Sequence, residues 1–299
     1  MNYRLLAVTC GLLPMAANAQ FISVEKYASG YQTDASTVTV DGYYFKASIG
    51  SDVAGASSAT VSAGSGVLTT PAPLTSVNGE LQYVSSKYAS GSALSTTSDY
   101  PNSTTYTVRI NNTTDVAIPG PGPSTFSSYL PNQVQFSISG VTGTWSTYFD
   151  SFLGANVGVF TFDPTGVTSF TVSTNTFSVA TAGDAHVTDL TVWRTSGSVL
   201  FDSADQFNPL SQSVTFYTTG HSGDVLIAPG DSFDIEGTFS NGYGVGAAEY
   251  GTGNQKAFVE STKTYFQIQA SAIPEPSTYA LLIGFYALAN AATCRRRRA

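Results

Sequence analysis

Short segments that alternate apolar and polar residues recur from Ser36 to Ala270, and they restrict this chain to a strand-based fold. Thr, Ser, Val, Tyr and Phe are abundant, turn residues recur at short intervals, and no long stretch has helical periodicity. The predicted strands are residues 36–49, 81–88, 106–111, 133–140, 157–162, 169–179, 186–194, 213–217, 232–239 and 263–270. A helix of one or two turns is predicted within 85–94. This pattern predicts an all-β fold built from antiparallel sandwiches.

A segment rich in proline and glycine, residues 119–130, divides the strands into two groups. Ile118 is followed by Pro-Gly-Pro-Gly-Pro-Ser, in which three residues lack an N–H donor and two are costly to order. This segment is predicted to be a linker or a long exposed loop. We therefore predict one β-sandwich module at residues 20–118 and a second at residues 131–272.

Each predicted module contains a turn with proline, then an aromatic residue, then alternation. The first reads Asp-Tyr-Pro-Asn-Ser-Thr-Thr-Tyr-Thr-Val from Asp99, and the second reads Leu-Ile-Ala-Pro-Gly-Asp-Ser-Phe-Asp-Ile from Leu226. Both resemble the turn-then-strand of immunoglobulin-like and fibronectin-like sandwiches. The resemblance implies that the aromatic residue plugs one end of each core.

The amino terminus has the features of a secretory signal peptide. Arg4 precedes an apolar run, residues 5–13, and Ala17-Asn18-Ala19 has the small-x-small pattern found before a cleavage site. Residues 1–19 are therefore predicted to be removed after export by the Sec machinery, so that the mature chain starts at Gln20. A lipoprotein signal ending at Cys10 fits less well, because the residues before Cys10 match that pattern poorly.

The carboxyl terminus, residues 273–299, has the features of a membrane-directed tail. Pro274-Glu275-Pro276 is held extended by its prolines and carries one carboxylate. The apolar residues 279–293 predict a short transmembrane helix of about 22 Å, shorter than a usual span of about 20 residues. A basic cluster follows, formed by Arg295, Arg296, Arg297 and Arg298. This cluster favours retention of the carboxyl end in the cytoplasm.

This triplet, helix and basic end resemble the PEP-CTERM sorting signal of exported proteins in Gram-negative bacteria that make extracellular polysaccharide. The resemblance implies that an exosortase-type membrane protease recognises Pro274, Glu275 and Pro276, with the helix and the arginines as a transient anchor in the inner membrane. It also implies that the processed protein reaches the cell surface or the extracellular matrix. Asn290 within the apolar segment departs from a strong anchor.

Composition between the two targeting segments narrows the classes of function. Both cysteines, Cys10 and Cys294, lie in those segments, so disulfides cannot staple the exported body. The body has seven basic and nineteen acidic residues, a net charge of −12. A nucleic-acid-binding protein needs clustered Lys and Arg to neutralise phosphates, so this balance argues against nucleic acid as a partner.

A search for catalytic residues favours a protein that is not an enzyme. His186 and His221 lie in no zinc-binding pattern, and Gly220-His221-Ser222-Gly223-Asp224 lacks the spacing of a nucleophile elbow. Asp150, Asp163, Glu236 and Glu249 are candidates for a glycosidase pair, but sequence spacing does not bring any two of them together.

Two kinds of binding site remain open. Asp231, Asp234 and Glu236 are calcium candidates, although they match no twelve-residue calcium loop and also fit a solvated acidic edge. Aromatic side chains could stack on sugar rings if they share an exposed face, and the candidates are Trp145, Trp193, Tyr43, Tyr44, Tyr243 and Tyr250. The opposing interpretation is that the tryptophans fill the cores of the sandwiches.

The sequence therefore supports two hypotheses. The first is a surface or matrix protein without enzymatic activity that acts in adhesion or biofilm structure. The second is a secreted carbohydrate-binding module or glycoside hydrolase with the same tail. Two acids in a concave pocket beside an exposed tryptophan would favour the second, and burial of both tryptophans would count against it.

Overall fold

The computed structural model describes residues 21–50, 53, 55–77, 79–95, 99–120, 133–151, 153–177, 185–195, 198–203, 210–219, 225–243 and 255–272. The fold is all-β, as the sequence predicts. The described strands are β1 (Phe21–Gln32), β2 (Val38–Ile49), β3 (Ala59–Ala63), β4 (Ala72–Pro73), β5 (Thr75–Val77), β6 (Glu80–Val84), β7 (Thr105–Ile110), β8 (Thr114–Pro119), β9 (Phe136–Ser139), β10 (Gly143–Asp150), β11 (Ala155–Phe162), β12 (Ser169–Thr174), β13 (Ala185–Arg194), β14 (Val199–Asp202), β15 (Ser213–Tyr217), β16 (Val225–Leu226), β17 (Ser232–Tyr243) and β18 (Gln255–Ala270). A five-residue helix, α1 (Gly91–Ser95), and a 3₁₀ turn at Val67–Thr69 interrupt them.

A ten-stranded sheet forms one layer of the molecule. Eight of its strands follow the order β14-β13-β17-β18-β1-β2-β6-β5, and the hairpin β10-β11 attaches to the end of β18. Beyond the last residue of β18 that pairs with β1, strand β11 of this hairpin pairs with the same edge of β18. Gly158 of β11 is needed there, because a Cβ at this position would lie 2.1 Å from the carbonyl oxygen of Gln32.

Two four-stranded sheets cover the same face of the large sheet, which we call the inner face. The sheet β4-β3-β7-β8 encloses the first core, in which Val24 and Phe45 of the large sheet meet Val61 and Tyr106. The sheet β16-β15-β12-β9 encloses the second core, whose buried residues include Phe136, Phe170, Phe216, Phe233 and Phe266. Two hydrophobic cores thus lie side by side under one sheet.

The two ends of the described chain meet in the centre of that sheet. Strand β1 pairs in parallel with β18 over eleven residues, from Phe21 beside Gln255 to Tyr31 beside Tyr265. The boundary predicted at residues 119–130 assigns β1 and β18 to different modules, whereas these two strands are neighbours in one sheet. Residues 121–130 lie outside the described residues.

Three pairings differ from the antiparallel arrangement that the sequence predicts: β1 with β18, β11 with β18, and β15 with β16 are parallel. Parallel neighbours need a crossover connection, so their partners are distant in sequence or separated by other structure. Local alternation carries no information about such pairing.

The predicted membrane segment cannot be compared with the structure, because the tail at residues 273–299 lies outside the described residues, as do residues 1–20. Within the described ranges, no helix is long and apolar enough to cross a membrane.

Candidate functional site

The outer face of the large sheet, opposite the two smaller sheets, carries a concave pocket of about 270 Å³. Its walls come from β1, β2, β17 and β18, and Leu153 in the turn of the β10-β11 hairpin closes one side. Side chains alternate between the two faces of a strand, so Tyr27 faces the pocket while its neighbours Lys26 and Ala28 face inward. The pocket is a product of the pairing between β1 and β18, the first and last described strands.

Four tyrosines, Tyr27, Tyr31, Tyr44 and Tyr265, line the pocket. Tyr27 and Tyr44 are cross-strand partners, and their rings stack with centroids 5.1 Å apart and an interplanar angle of 18°. Tyr31 and Tyr265 meet edge to face at 6.5 Å. The Lys263 ammonium lies 5.1 Å from the centroid of the Tyr27 ring. Tyr27, Tyr31 and Tyr265 are each at most 8% exposed, so small parts of these rings reach the pocket beside one cation. Aromatic rings and cations are groups that bind sugars and other polar molecules.

Carboxylates surround these rings. The Tyr44 hydroxyl donates to Asp41 over 2.9 Å, and Lys87 also pairs with Asp41. Asp234, next to the pocket, accepts hydrogen bonds from the Tyr265 hydroxyl at 2.6 Å and from the Gln267 amide at 2.9 Å. These bonds hold the hydroxyls of Tyr44 and Tyr265 in place.

Two carboxyl groups on neighbouring strands titrate near neutrality. Burial raises the pKa of Glu236 to about 7, the nearby Lys263 ammonium opposes that shift, and Glu25 adds to it. Burial, with the charges of Asp202 and Glu236, also raises the pKa of Asp189 to about 7. Burial likewise raises the pKa of Tyr31 to about 12, so this hydroxyl remains a hydrogen-bond donor at neutral pH.

The calcium candidates do not form a site within the described part of the chain. Asp231 accepts the amide of Ala228 and pairs with Arg194 at 3.3 Å, Asp234 is held by Tyr265, and Glu236 lines the pocket. Among the described residues, no group of three or more His, Cys, Asp or Glu side chains could hold a metal ion. Sequence proximity on β17 places Asp234 and Glu236 on one face without gathering further oxygen ligands around them.

The aromatic candidates divide between core and site. Trp145 is partly buried and packs on Phe160 and Phe266 at 5.5 Å, which assigns it to the second core. Trp193 is also partly buried and lies 6.4 Å from Tyr265. Tyr43 packs between the two cores, and Tyr44 lines the pocket. Neither tryptophan is therefore exposed as a platform for sugar rings would be, and neither is completely buried.

The remaining predicted site residues lie outside what the structure describes. These are Ala17, Ala19, Gln20, residues 220–224, Glu249, Tyr250, Pro274, Glu275, Pro276, Arg295, Arg296, Arg297 and Arg298, together with the side chains of His186 and Tyr243.

Of the residues that line the pocket, sequence reasoning identified Tyr44 and Glu236. It missed the others, among them Tyr27, Tyr31, Asp41, Lys263 and Tyr265. A usable signal was present in β18, where Ser261, Lys263, Tyr265 and Gln267 alternate with the inward positions.

No protein-family model matches the chain, and a comparison with curated protein sequences finds no match either. The functional argument therefore depends on the residues and their geometry.

Proposed function

We propose that this chain is an exported surface or extracellular-matrix protein with a structural or adhesive role and no enzymatic activity. On this proposal the Sec machinery exports it, and an exosortase-type protease processes it at Pro274, Glu275 and Pro276. The observation that carries the proposal is the position of β1 and β18. β1 begins at Phe21 and β18 ends at Ala270, so cleavage after Ala19 and near Pro276 would leave every described strand residue of the central sheet in place.

We further propose that the body consists of two immunoglobulin-like or fibronectin-like sandwiches. Support comes from the two separate cores, each enclosed by the large sheet and one four-stranded sheet. Each predicted turn also leads to a buried aromatic residue, Tyr106 in the first core and Phe233 in the second.

The sorting proposal is tested by the intact mass of protein recovered from the cell surface and the medium. We expect a species that starts at Gln20 and ends near Pro276, and we expect Glu275→Ala to abolish this species. Ser277→Ala, which leaves the triplet unchanged, is the matched control. A species that retains Arg295 to Arg298 in both the wild type and Glu275→Ala would refute sorting and indicate a permanent membrane anchor.

The outer-face pocket favours a second candidate function, binding of extracellular polysaccharide. The supporting observation is a pocket in which the tyrosine pair Tyr27 and Tyr44 lies beside Asp41 and Glu236, because aromatic side chains with adjacent hydrogen-bonding groups bind sugars. Affinity electrophoresis in gels that contain the cells' own polysaccharide tests it. Tyr27→Ala should abolish retardation, while Phe149→Ala, at an aromatic residue 63% exposed on β10, should not. Equal migration of the wild type with and without polysaccharide would exclude this candidate.

A further inference from the structure

A lysine, a carboxamide and a carboxylate meet in the interior beside the first core. Lys26 of β1 and Glu260 of β18 are directly paired across the parallel strands, and neither has any solvent exposure. Asn102, 3% exposed, reaches them from the turn before β7. The Lys26 ammonium donates to Asn102 Oδ1, and Asn102 Nδ2 donates to Glu260 Oε1 at 3.2 Å. Asn102 therefore contacts both the lysine and the carboxylate, whose strands are paired side by side.

Aromatic rings surround this contact. Lys26 Nζ lies 5.8 Å from the centroid of the Phe258 ring, and Tyr106 stacks on Phe258 at 6.0 Å. Both rings are fully buried. Burial lowers the pKa of Lys26 to about 8, and the carboxylate of Glu260 opposes that shift. The neutral amine, which is the nucleophilic form, is therefore populated at lower pH here than for a lysine in water.

The turn that presents Asn102 is held firmly. The Tyr106 hydroxyl donates to the carbonyl of Pro101 at 3.0 Å, and the Val67 amide donates to the carbonyl of Asp99. A Cβ on Gly120 would lie 2.2 Å from the carbonyl oxygen of Asn102, so only glycine lets this backbone approach. Because Oδ1 accepts from Nζ, the carbonyl carbon of Asn102 lies one C=O bond, about 1.2 Å, beyond the accepting atom. The reacting atoms are thus held next to each other.

We propose that Lys26 and Asn102 join spontaneously in an intramolecular amide (isopeptide) bond, with Glu260 as the catalytic acid–base. This inference depends on the buried contact alone and stands independently of the sorting proposal.

The reaction balances without a cofactor or a second reactant. Lys26 Nζ gives a proton to the Glu260 carboxylate, and its lone pair then forms a bond to Asn102 Cγ. Glu260 passes the proton to Nδ2, which it already contacts. The Cγ–Nδ2 bond breaks, and a second Nζ proton leaves with the departing nitrogen as an ammonium ion. The third Nζ hydrogen stays on the new amide, and Glu260 is again a carboxylate. Nothing is oxidised or reduced. General acid–base catalysis by a contacting carboxyl group is suited to this transfer.

The bond would connect two layers of the fold. Lys26 belongs to the central strand of the large sheet, and Asn102 leads into the covering sheet β4-β3-β7-β8. The described body contains no cysteine, since Cys10 and Cys294 lie outside it, so an amide is the covalent staple that its residues allow. The alternative is a hydrogen-bonded network with all three side chains intact, and the mass of the protein distinguishes the two.

The test is the mass of the purified full chain under denaturing conditions. We expect a mass lower than the sequence mass, after accounting for processing, by one molecule of ammonia. Trypsin should fail to cut after Lys26 and should yield the peptide that ends at Lys46 joined to residues 88–109, which contain Asn102. A full sequence mass, with separate peptides ending at Lys26 and Arg109, would overturn the proposal without any need for variants.

Three variants assign the roles. Asn102→Ala removes the electrophile, Lys26→Arg removes the nucleophile, and Glu260→Ala leaves both in place while removing the acid–base. We expect complete loss of the joined peptide in all three, and its full retention in Lys87→Arg, which changes an exposed lysine. A joined peptide that persists in Glu260→Ala would refute the catalytic role of Glu260. One that persists in Asn102→Ala would refute the assigned bond.

Discussion

The inner face of β18 changes character along its length. Phe266, Ile268 and Ala270 have no solvent exposure and lie in the second core, which consists of apolar side chains. Glu260 and Thr262 point to the same face and are equally buried, yet both are polar. One strand therefore supports a dry core at one end and a polar interior at the other. Burial requires a polar side chain to have hydrogen-bond partners, and the partners available at a position determine which polar side chain is stable there.

The polar end is organised by a row of cross-strand partners. Lys26, Glu260 and Asn241 are in register on β1, β18 and β17, and we call them the polar row. Asn102 completes the hydrogen bonding of Lys26 and Glu260. The apolar end needs no such specificity, because dispersion and the hydrophobic effect are nondirectional. Four substitutions test this contrast.

The largest effect is expected for Asn102→Ala. The proposed cross-link closes a loop between residues 76 apart in sequence, and in the chain-entropy treatment of cross-links its loss lowers the free energy of unfolding by about 4.5 kcal/mol. Guanidinium unfolding of the wild type and the variant measures this difference. Lys87→Arg serves as the control. A loss of about 1 kcal/mol would correspond to a single hydrogen bond and would contradict the covalent staple.

Phe266→Ala tests the apolar end of β18. Phe266 packs on Phe136 at 4.8 Å and on Trp145 at 5.5 Å, so truncation leaves a cavity in the second core. We expect the free energy of unfolding to fall by about 4 kcal/mol in urea denaturation. Phe149→Ala, at an exposed aromatic of the same molecule, should change it very little. Equal effects of the two substitutions would mean that the second core does not carry the stability.

Titration of Glu236 extends the contrast to the outer face. Its pKa rises from 4.5 to about 7 on folding, so the folded protein binds this proton more tightly. The contribution is fully present below about pH 4.5 and is lost as the pH rises through 7, at most about 3 kcal/mol in all. Asp189 shifts in the same direction.

Glu236→Gln should therefore make the free energy of unfolding less dependent on pH between 4.5 and 7, as measured by urea titrations at several pH values. Asp163→Asn, at an exposed turn carboxylate that accepts the Thr165 amide, is the control for removal of one negative charge. An unchanged slope in Glu236→Gln would show that this carboxyl group is ionised throughout the range.

The smallest effect is expected for Thr262→Val, which should stabilise the polar end of β18. Thr262 is 2% exposed, and its hydroxyl has no hydrogen-bond partner among the described residues. Replacing that hydroxyl with a methyl group of similar shape should raise the free energy of unfolding by about 1 kcal/mol. Thermal unfolding followed by circular dichroism measures the shift. A decrease in stability would mean that the hydroxyl is satisfied in solution.

Strands with regular alternation were predictable to within a few residues. The prediction for β15 at residues 213–217 is confirmed, and those for β2 and β7 differ from the structure by at most two residues at either end. Strand β17 was predicted from 232 to 239 but continues to Tyr243, because Asn241 and Gly242 are tolerated within paired strands on both sides. Propensity underestimates a strand whose neighbours complete its hydrogen bonds.

The central strand β1 was absent from the predicted strands. Its inward positions read Ile22, Val24, Lys26 and Ala28, and the lysine breaks the apolar period. Lys26, which interrupts the apolar period, is the residue that hydrogen-bonds to Asn102 and is paired with Glu260. The polar interior and the omission of β1 from the prediction thus have the same origin.

Local pattern and composition are enough to predict the strand-rich body, the positions of many turns, the absence of cysteine from that body and its negative net charge. Only the tertiary structure decided that β1 lies between β2 and β18, that Tyr27 and Tyr44 share a pocket with Glu236, and that Lys26 meets Asn102. The physical reason is that each of these contacts joins residues on different strands, and the pairing of strands is set by the packing of both cores under one sheet.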